Sequence, residues 1–195
     1  MISRLLRSTM LLGLGAIALG ACGGGDDGGG PIEPVELQTY NGTVQQILSD
    51  DLTLDYTVDL PAGFEIGEFA SESQQVWEDP DVEFGVQEIS ARLAWTTVEY
   101  DADTLVDDIS VINDDRQLLD SGTEAEFSYV TYATPSTSSD AIFSASAQTS
   151  RTLAPGSVLI CTATWSTGID DEWSDDDVAT VAAQALDICR SYDAA

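Results

Sequence analysis

The strongest pattern in the chain is a strict alternation of apolar and polar residues over positions 52–60. The polar positions are all threonine or aspartate, and the alternation ends at Pro61. A period of two places alternate side chains on opposite faces of a β-strand, so this segment is predicted to be a strand with one buried face. The predicted buried residues are Leu52, Leu54, Tyr56, Val58 and Leu60.

Further strands are predicted where β-branched and aromatic residues concentrate, over 82–100, 126–134, 141–151 and 158–166. In the first of these, the apolar residues change from even to odd positions, which predicts a bulge or bend near 85–88. Residues 43–48 fit either a helical turn or a strand.

The C-terminal region has helical periodicity. Apolar residues recur every three or four positions between 178 and 189, which predicts an amphipathic helix over 175–190. Ser174 and Asp177 have the spacing of a capping box, and Trp173 and Val178 have that of a hydrophobic staple. A shorter helix is predicted over 103–112, with Leu105, Ile109 and Ile112 on one face.

The order of these elements predicts the fold class. Strands come first, one helix lies in the middle and another ends the chain, which is typical of an α+β domain. We therefore expect an antiparallel β-sheet covered on one face by the C-terminal helix and the shorter middle helix. Residues 37–195 are long enough for one domain with its own core and short for two.

The first 21 residues have the organisation of an export signal, with Arg4 and Arg7 followed by an apolar stretch at 10–19. That stretch is too short to cross a hydrocarbon core of about 30 Å, which needs about 20 helical residues. Leu19, Gly20, Ala21 and Cys22 resemble a bacterial lipobox. The resemblance implies that the signal is cleaved after residue 21 and that the Cys22 thiol carries a diacylglycerol. The alternative is an ordinary secretory signal with a free Cys22 thiol.

Residues 22–36, called the tether below, are rich in glycine, proline and aspartate and are predicted to be flexible. Two or more acyl chains on Cys22 would give stable membrane attachment without a spanning helix. Position 23 is glycine and not aspartate. By the sorting rule of enterobacterial lipoproteins, this resemblance implies the outer membrane. We therefore expect a domain in the cell envelope that faces the periplasm or the exterior.

Charge narrows the possible chemistry. The chain has 35 acidic residues, six arginines, and neither histidine nor lysine. Histidine acid–base relays, lysine Schiff bases and Walker-type phosphate loops are therefore excluded. A nucleic-acid partner is also excluded, because binding phosphates requires many basic side chains. After signal cleavage the chain has four arginines and 35 acidic residues, which gives a net charge of −31. Such a surface is typical of proteins from saline habitats, where counterions screen self-repulsion.

The remaining cysteines predict one disulfide. If Cys22 is lipidated, Cys161 and Cys189 are left in an oxidising compartment. Cys161 lies on the last long predicted strand and Cys189 on the apolar stripe of the C-terminal helix. A bridge that closes a loop of roughly 29 residues would stabilise the fold by about 3.5 kcal/mol. Two buried free thiols are the alternative, and a redox-active pair is disfavoured because there is no CxxC motif.

The densest acidic segment contains two triplets, residues 170–172 and 175–177. Asp170, Asp171 and Glu172 are weak candidates for calcium ligands, since calcium prefers oxygen donors. The EF-hand order of ligands is absent, and the second triplet falls where acidic residues stabilise a helix N-terminus. We therefore expect structural use of these acids, no metal site and no cofactor besides the acyl anchor.

The element order, the LPAGF segment at 60–64, Cys161 on a late strand and Cys189 on the last helix resemble the PsbP-like domain over residues 46–192. Known members of that family are mostly binding or assembly factors, so the resemblance implies a binding role and assigns no functional residue. We expect a lipid-anchored, non-enzymatic envelope protein that presents a disulfide-linked domain to a protein or small ligand. The alternatives are a calcium-dependent binding or adhesion module and a carboxylate hydrolase, for which no acid pair stands out.

Overall fold

A computed structural model describes residues 35–45, 53–67, 71–72, 74–78, 80, 88–96, 100–112, 115–125, 127–135, 142–155, 157–166 and 173–194. Within these ranges there are ten strands and two α-helices. In chain order they are β1 (Leu37–Gln45), β2 (Thr53–Pro61), β3 (Glu65–Ile66), β4 (Gln74–Glu78), β5 (Glu88–Thr96), α1 (Ala102–Ile112), β6 (Gln117–Thr123), β7 (Ser128–Pro135), β8 (Ile142–Ala154), β9 (Ser157–Ser166), α2 (Asp175–Ser191) and β10 (Asp193–Ala194).

The strands form two antiparallel sheets. The larger has seven strands in the order β3-β4-β5-β9-β8-β7-β6, and the smaller has three in the order β1-β2-β10. Most neighbours in the large sheet are joined by hairpins, whereas β5 pairs with β9 across α1 and three intervening strands. The α+β class predicted from the sequence is confirmed.

The two helices lie on opposite faces of the large sheet. Helix α2 shares a core with Ala133 on β7, whereas Leu105 and Ile109 of α1 pack against Val130 and Tyr132 of the same strand. Successive side chains of a strand point to opposite faces, so α1 does not join α2 on one face as the sequence pattern suggested. The physical reason is that β7 carries apolar residues on both faces, and each face needs its own cover.

The main core lies where α2 packs between the two sheets. Helix α2 contacts β8 and β9 of the large sheet and β2 of the small one. The side chains that β2 contributes to this core are Tyr56, Val58 and Leu60, which belong to the alternating set in the sequence. Burying such apolar side chains stabilises the fold by about 1.5–3 kcal/mol each.

Both ends of α2 are held by identifiable bonds. Ser174 Oγ accepts a hydrogen bond from Asp177 N at 3.2 Å, and the Asp177 carboxylate accepts one from Ser174 N at 3.1 Å, so the predicted capping box is present. At the other end, Ser191 Oγ accepts a hydrogen bond from Asp59 N of β2 at 2.9 Å. The C-terminus of the helix is thereby fixed to the small sheet, and β10 extends that sheet directly afterwards.

Two local predictions concern segments that the structure describes only in part. The ambiguous segment 43–48 begins in β1, which covers Leu37–Gln45, and its remaining residues lie outside the described ranges. The bend predicted near 85–88 lies almost entirely outside them.

Candidate functional site: a cleft beside Arg151

Most of the candidate residues named from the sequence lie outside the described part of the chain. These are the lipobox residues Leu19 to Cys22 and the weak calcium candidates Asp170, Asp171 and Glu172. Asp175, Asp176 and Asp177 form the first turn of α2, where their charge favours the helix N-terminus. Among the described residues, no three metal-ligating side chains are grouped closely enough to hold an ion.

Cys161 on β9 and Cys189 on α2 are joined in a disulfide with Cα atoms 5.5 Å apart. Both residues are buried in the main core, with 2% and 3% of their surface exposed. A disulfide in this position is shielded from external thiols, so it links helix to sheet and does not act as an exposed redox group.

A second structural centre is the phenol of Tyr56 on β2. Its hydroxyl accepts a hydrogen bond from Trp77 Nε1 at 2.9 Å, and its ring lies 5.0 Å from the ring of Tyr192. Burial raises the pKa of Tyr56 to about 12, because the anionic form loses its hydration. The same cause raises the pKa of Tyr192. These groups stabilise the packing of the two sheets and are enclosed by it.

An open cleft of about 530 Å³ lies at one end of β7 and β8. Its walls come from three separate parts of the chain: Tyr100 before α1, the loop joining β6 to β7, and the last residues of β8. The loop is tight because Glu124 N donates a hydrogen bond to Phe127 O at 2.8 Å. A volume of this size is typical of sites for small ligands.

Arginine and aromatic side chains form one side of this cleft. The guanidinium of Arg151 lies 5.9 Å from the centre of the Phe127 ring. The Phe127 and Tyr129 rings lie edge to face with their centroids 6.4 Å apart, and the Arg190 guanidinium lies 5.9 Å from the centre of the Tyr129 ring. Two cations therefore flank an aromatic pair, an arrangement that the negative ring faces stabilise.

The charge of Glu124 at the cleft is balanced by Arg190. Arg190 Nη2 lies 2.6 Å from Glu124 Oε1, and its Nη1 lies 3.2 Å from Asp187 Oδ1. The hydrogen bond to Glu124, followed by the smaller contribution of Asp187, raises the pKa of Arg190. The pair contributes little stability because it is partly exposed, but it anchors the β6–β7 loop to α2.

The inner wall of the cleft carries hydroxyl groups. Ser128 and Ser150 are buried and occupy paired positions on β7 and β8. Ser150 Oγ donates a hydrogen bond to Tyr100 O, and Thr123 Oγ1 lies 3.2 Å from Ser128 Oγ. Each hydroxyl oxygen has two lone pairs, so these groups offer acceptors to a ligand in addition to their present bonds.

The residues that line the cleft carry groups that recognise ligands. Among the described lining residues there is one carboxylate, Glu124, and Arg190 binds it. A general acid and base would need two groups with different pKa values near the bond that reacts. The cleft presents a guanidinium and the Phe127 ring from one face of the sheet, and Tyr100 and serine hydroxyls from the other. Groups of these kinds bind oxyanions, apolar surfaces and polar groups.

The sequence alone did not single out this cleft. No motif or spacing in the sequence pointed to Arg151, Phe127 or Ser150. The lining residues are spread over positions 100–153 and come together only through the pairing of β7 with β8. The available signal was compositional, since two of the four arginines after the signal segment, Arg151 and Arg190, lie at this end of the sheet.

Comparison of the sequence with known proteins identifies no family. No protein-family model matches the chain, and no curated protein matches it. Among the described residues, no helix combines the length and apolar character needed to cross a bilayer.

Three solved structures are similar in fold. The Ran-binding protein Mog1p of Saccharomyces cerevisiae aligns with 80% of this chain and 96% of its own at 12% identity and a TM-score of 0.50. LpqN of Mycobacterium tuberculosis, described as involved in cell envelope biogenesis, covers 81% of this chain and 91% of its own at 14% identity and a TM-score of 0.46. A cyanobacterial PsbP from Synechocystis covers 88% and 98% at 20% identity and a TM-score of 0.46.

These matches concern the fold. The likeness to Mog1p shows a shared arrangement of strands and helices. The lipobox and the membrane address stay predictions.

Proposed function

We propose that this chain is a lipid-anchored, non-enzymatic protein of the cell envelope that binds a small ligand in the cleft beside Arg151. The observation that carries the proposal is the cleft itself, which is lined by Arg151 and Phe127 from the face of the sheet that α2 covers and by Tyr100, Ser128 and Ser150 from the other face. The lipobox-like segment at 19–22 supports the address. The absence of histidine and lysine from the chain supports a binding role.

The chemistry of the cleft favours a ligand with one acidic group on an apolar body. Arg151 offers a planar set of N–H donors that matches a carboxylate. The Phe127 ring, on the same face of the sheet as Arg151, offers apolar surface, and the serine hydroxyls offer polar contacts at the other side of the cleft. A ligand with several negative charges is disfavoured, because the mature chain would carry a net charge of −31.

The binding part of the proposal can be tested with benzoate and benzamide as a matched pair of probes. They have the same shape, but benzoate is charged and benzamide is neutral. We expect benzoate to shift the backbone amide NMR signals of residues 123–128 and 150–153 and to bind several-fold more tightly than benzamide. Arg151→Gln should remove that preference, because the amide side chain cannot form a charged pair.

The control for this experiment is Arg116→Gln, which removes one positive charge outside the lining of the cleft. Arg116 lies 4.8 Å from the ring of Tyr132, on the opposite face of β7 from Phe127 and Tyr129. Thermal melts of both variants show whether they are folded. Amide NMR shifts spread over the whole surface, or an unchanged preference of Arg151→Gln for benzoate over benzamide, would contradict binding at this cleft.

The proposed lipid anchor at Cys22 needs a separate test. Intact mass of the membrane-extracted protein should show an acylated chain that begins at Cys22, and Cys22→Ser should partition into the aqueous phase of a detergent split. Unmodified mass and aqueous partitioning of the parent protein would refute the anchor without affecting the cleft.

A further inference from the structure

The exposed edge of the large sheet is formed by β6, whose sole paired neighbour among the described strands is β7. A strand with one neighbour leaves half of its backbone N–H and C=O groups available for pairing with another chain. Residues 120–123 run in unbroken register with β7, from Asp120 opposite Thr131 to Thr123 opposite Ser128. This four-residue segment presents regular strand geometry at the sheet edge.

Two neighbouring leucines lie directly before that segment. Leu118 is 49% exposed and Leu119 is 42% exposed. The register of β6 with β7 shifts between Leu118 and Asp120, and this bulge leaves both leucines accessible to solvent. Isolated exposed apolar residues are common, but an adjacent pair on an edge strand provides an apolar anchor beside free backbone groups.

Acidic residues frame the leucines. Asp115 and Asp120 are both exposed, on either side of Leu118 and Leu119. We call these four residues the β6 edge patch. The rest of the molecule is also strongly acidic, since the mature chain would have 35 acids and four arginines. Charge therefore favours a basic occupant, and it disfavours a second copy of this chain, which would bring two strongly acidic surfaces together.

We propose that the β6 edge patch binds a basic, extended segment of a partner protein, which adds a strand beside residues 120–123 and covers Leu118 and Leu119. Backbone hydrogen bonds supply the pairing, and lysine or arginine side chains of the segment face Asp115 and Asp120. This interface lies on a different strand from Arg151 and shares with the lining of the cleft only Thr123, at the end of the paired segment.

The test uses two synthetic peptides of seven residues, one alternating lysine with valine and one alternating glutamate with valine. The protein is the mature chain with Cys22→Ser. Hydrogen–deuterium exchange measured by mass spectrometry follows the amides of residues 117–123, and fluorescence anisotropy of labelled peptide gives Kd. We expect the lysine peptide to slow exchange in 117–123 and to bind at least about tenfold more tightly than the glutamate peptide.

The double variant Leu118→Ser/Leu119→Ser separates the patch from general attraction to an acidic surface. It should weaken binding of the lysine peptide by about tenfold or more, because the apolar anchor is lost. The matched control is Ile66→Ser on β3, at the opposite edge of the same sheet, where the side chain is 51% exposed. That control should change Kd less than about twofold, and thermal melts of both variants show that they fold.

Four results would overturn the proposal. Equal binding by the double leucine variant, or binding without slower exchange in 117–123, would mean that the peptide is attracted by the overall charge alone. Failure of the lysine peptide to bind would show that the β6 edge patch does not bind a basic extended segment. Slower exchange that depends on protein concentration in the absence of peptide would instead identify a second copy of this chain as the occupant.

Discussion

Removing the Cys161–Cys189 disulfide should lower the free energy of unfolding by about 3.5 kcal/mol. The two cysteines are 28 positions apart, so the bridge closes a loop of about 29 residues that holds the end of β9 and nearly all of α2. In the chain-entropy model, a loop of this length costs the unfolded state about 12 cal/mol/K, which gives that value at 25 °C. The loss is a large share of the 5–15 kcal/mol that is typical of folded domains.

The assay is equilibrium urea unfolding of Cys161→Ala/Cys189→Ala, followed by tryptophan fluorescence and circular dichroism. With an m value of about 2 kcal/mol/M, the unfolding midpoint should fall by roughly 1.5 to 2 M urea. The parent protein, reduced while unfolded and refolded in reductant, should unfold close to the double variant. Both measurements are made in the Cys22→Ser background, so that no third thiol can exchange.

Two results would refute this reasoning. One is a midpoint for the double alanine variant within about 0.5 M of the oxidised parent, which corresponds to about 1 kcal/mol. The other is a parent protein that is equally stable after reduction and refolding. Either would mean that the unfolded chain is already restricted without the bridge, as residual structure in the unfolded state would make it.

Three further predictions concern capping, pH and salt. Ser174→Ala should lower the free energy of unfolding by about 1 kcal/mol in urea titrations, because the α2 capping box is lost, whereas Ser110→Ala on the exposed face of α1 should change it by less than about 0.5 kcal/mol. Burial keeps Tyr56 neutral and raises its pKa to about 12, against 10.0 in the unfolded chain. Its contribution to the free energy of unfolding is therefore complete below pH 10 and is lost as the pH rises from 10 to 12, because the unfolded chain loses the proton first. Tyr56→Phe should flatten the fall in stability over that range, and an equal fall in both proteins would exclude this cause. The melting temperature should rise between 0.1 and 1 M NaCl as the Debye length falls from about 10 to 3 Å, and a flat or falling curve would count against self-repulsion.

Elements with strong one-dimensional patterns could be predicted from the sequence. The alternation at 52–60 corresponds to β2, because that strand has one face in the core and the other toward solvent. The helix predicted over 175–190 is α2, and Ser174 is its N-cap, because capping depends on residues that are close in sequence. The shorter helix predicted over 103–112 corresponds to α1.

Elements stabilised mainly by tertiary contacts were not predicted. β6 has no alternation because it is an exposed edge strand with a bulge, so neither of its faces requires a continuous apolar row. β10 is two residues long and forms only because Ser191 and Tyr192 hold the end of α2 against β2. The side of the sheet on which α1 packs, and the cleft beside Arg151, depend on pairing between distant strands and leave no local signal.

Both ends of the folded region join the same small sheet, with β1 and β10 on the two sides of β2. Asn41 and Asp193 lie opposite the same residue, Thr57, so the two outer strands are separated there by about 10 Å. Tension applied at residue 35 would enter β1 and pass through its nine paired positions to β2. From β2 the load would reach α2 and then cross a covalent sulfur bridge to β9. If the protein is held at a membrane, it would thus resist pulling through the hydrogen bonds between β1 and β2, in series with one covalent cross-link. The end of β7 and β8 that carries the cleft does not lie on this path.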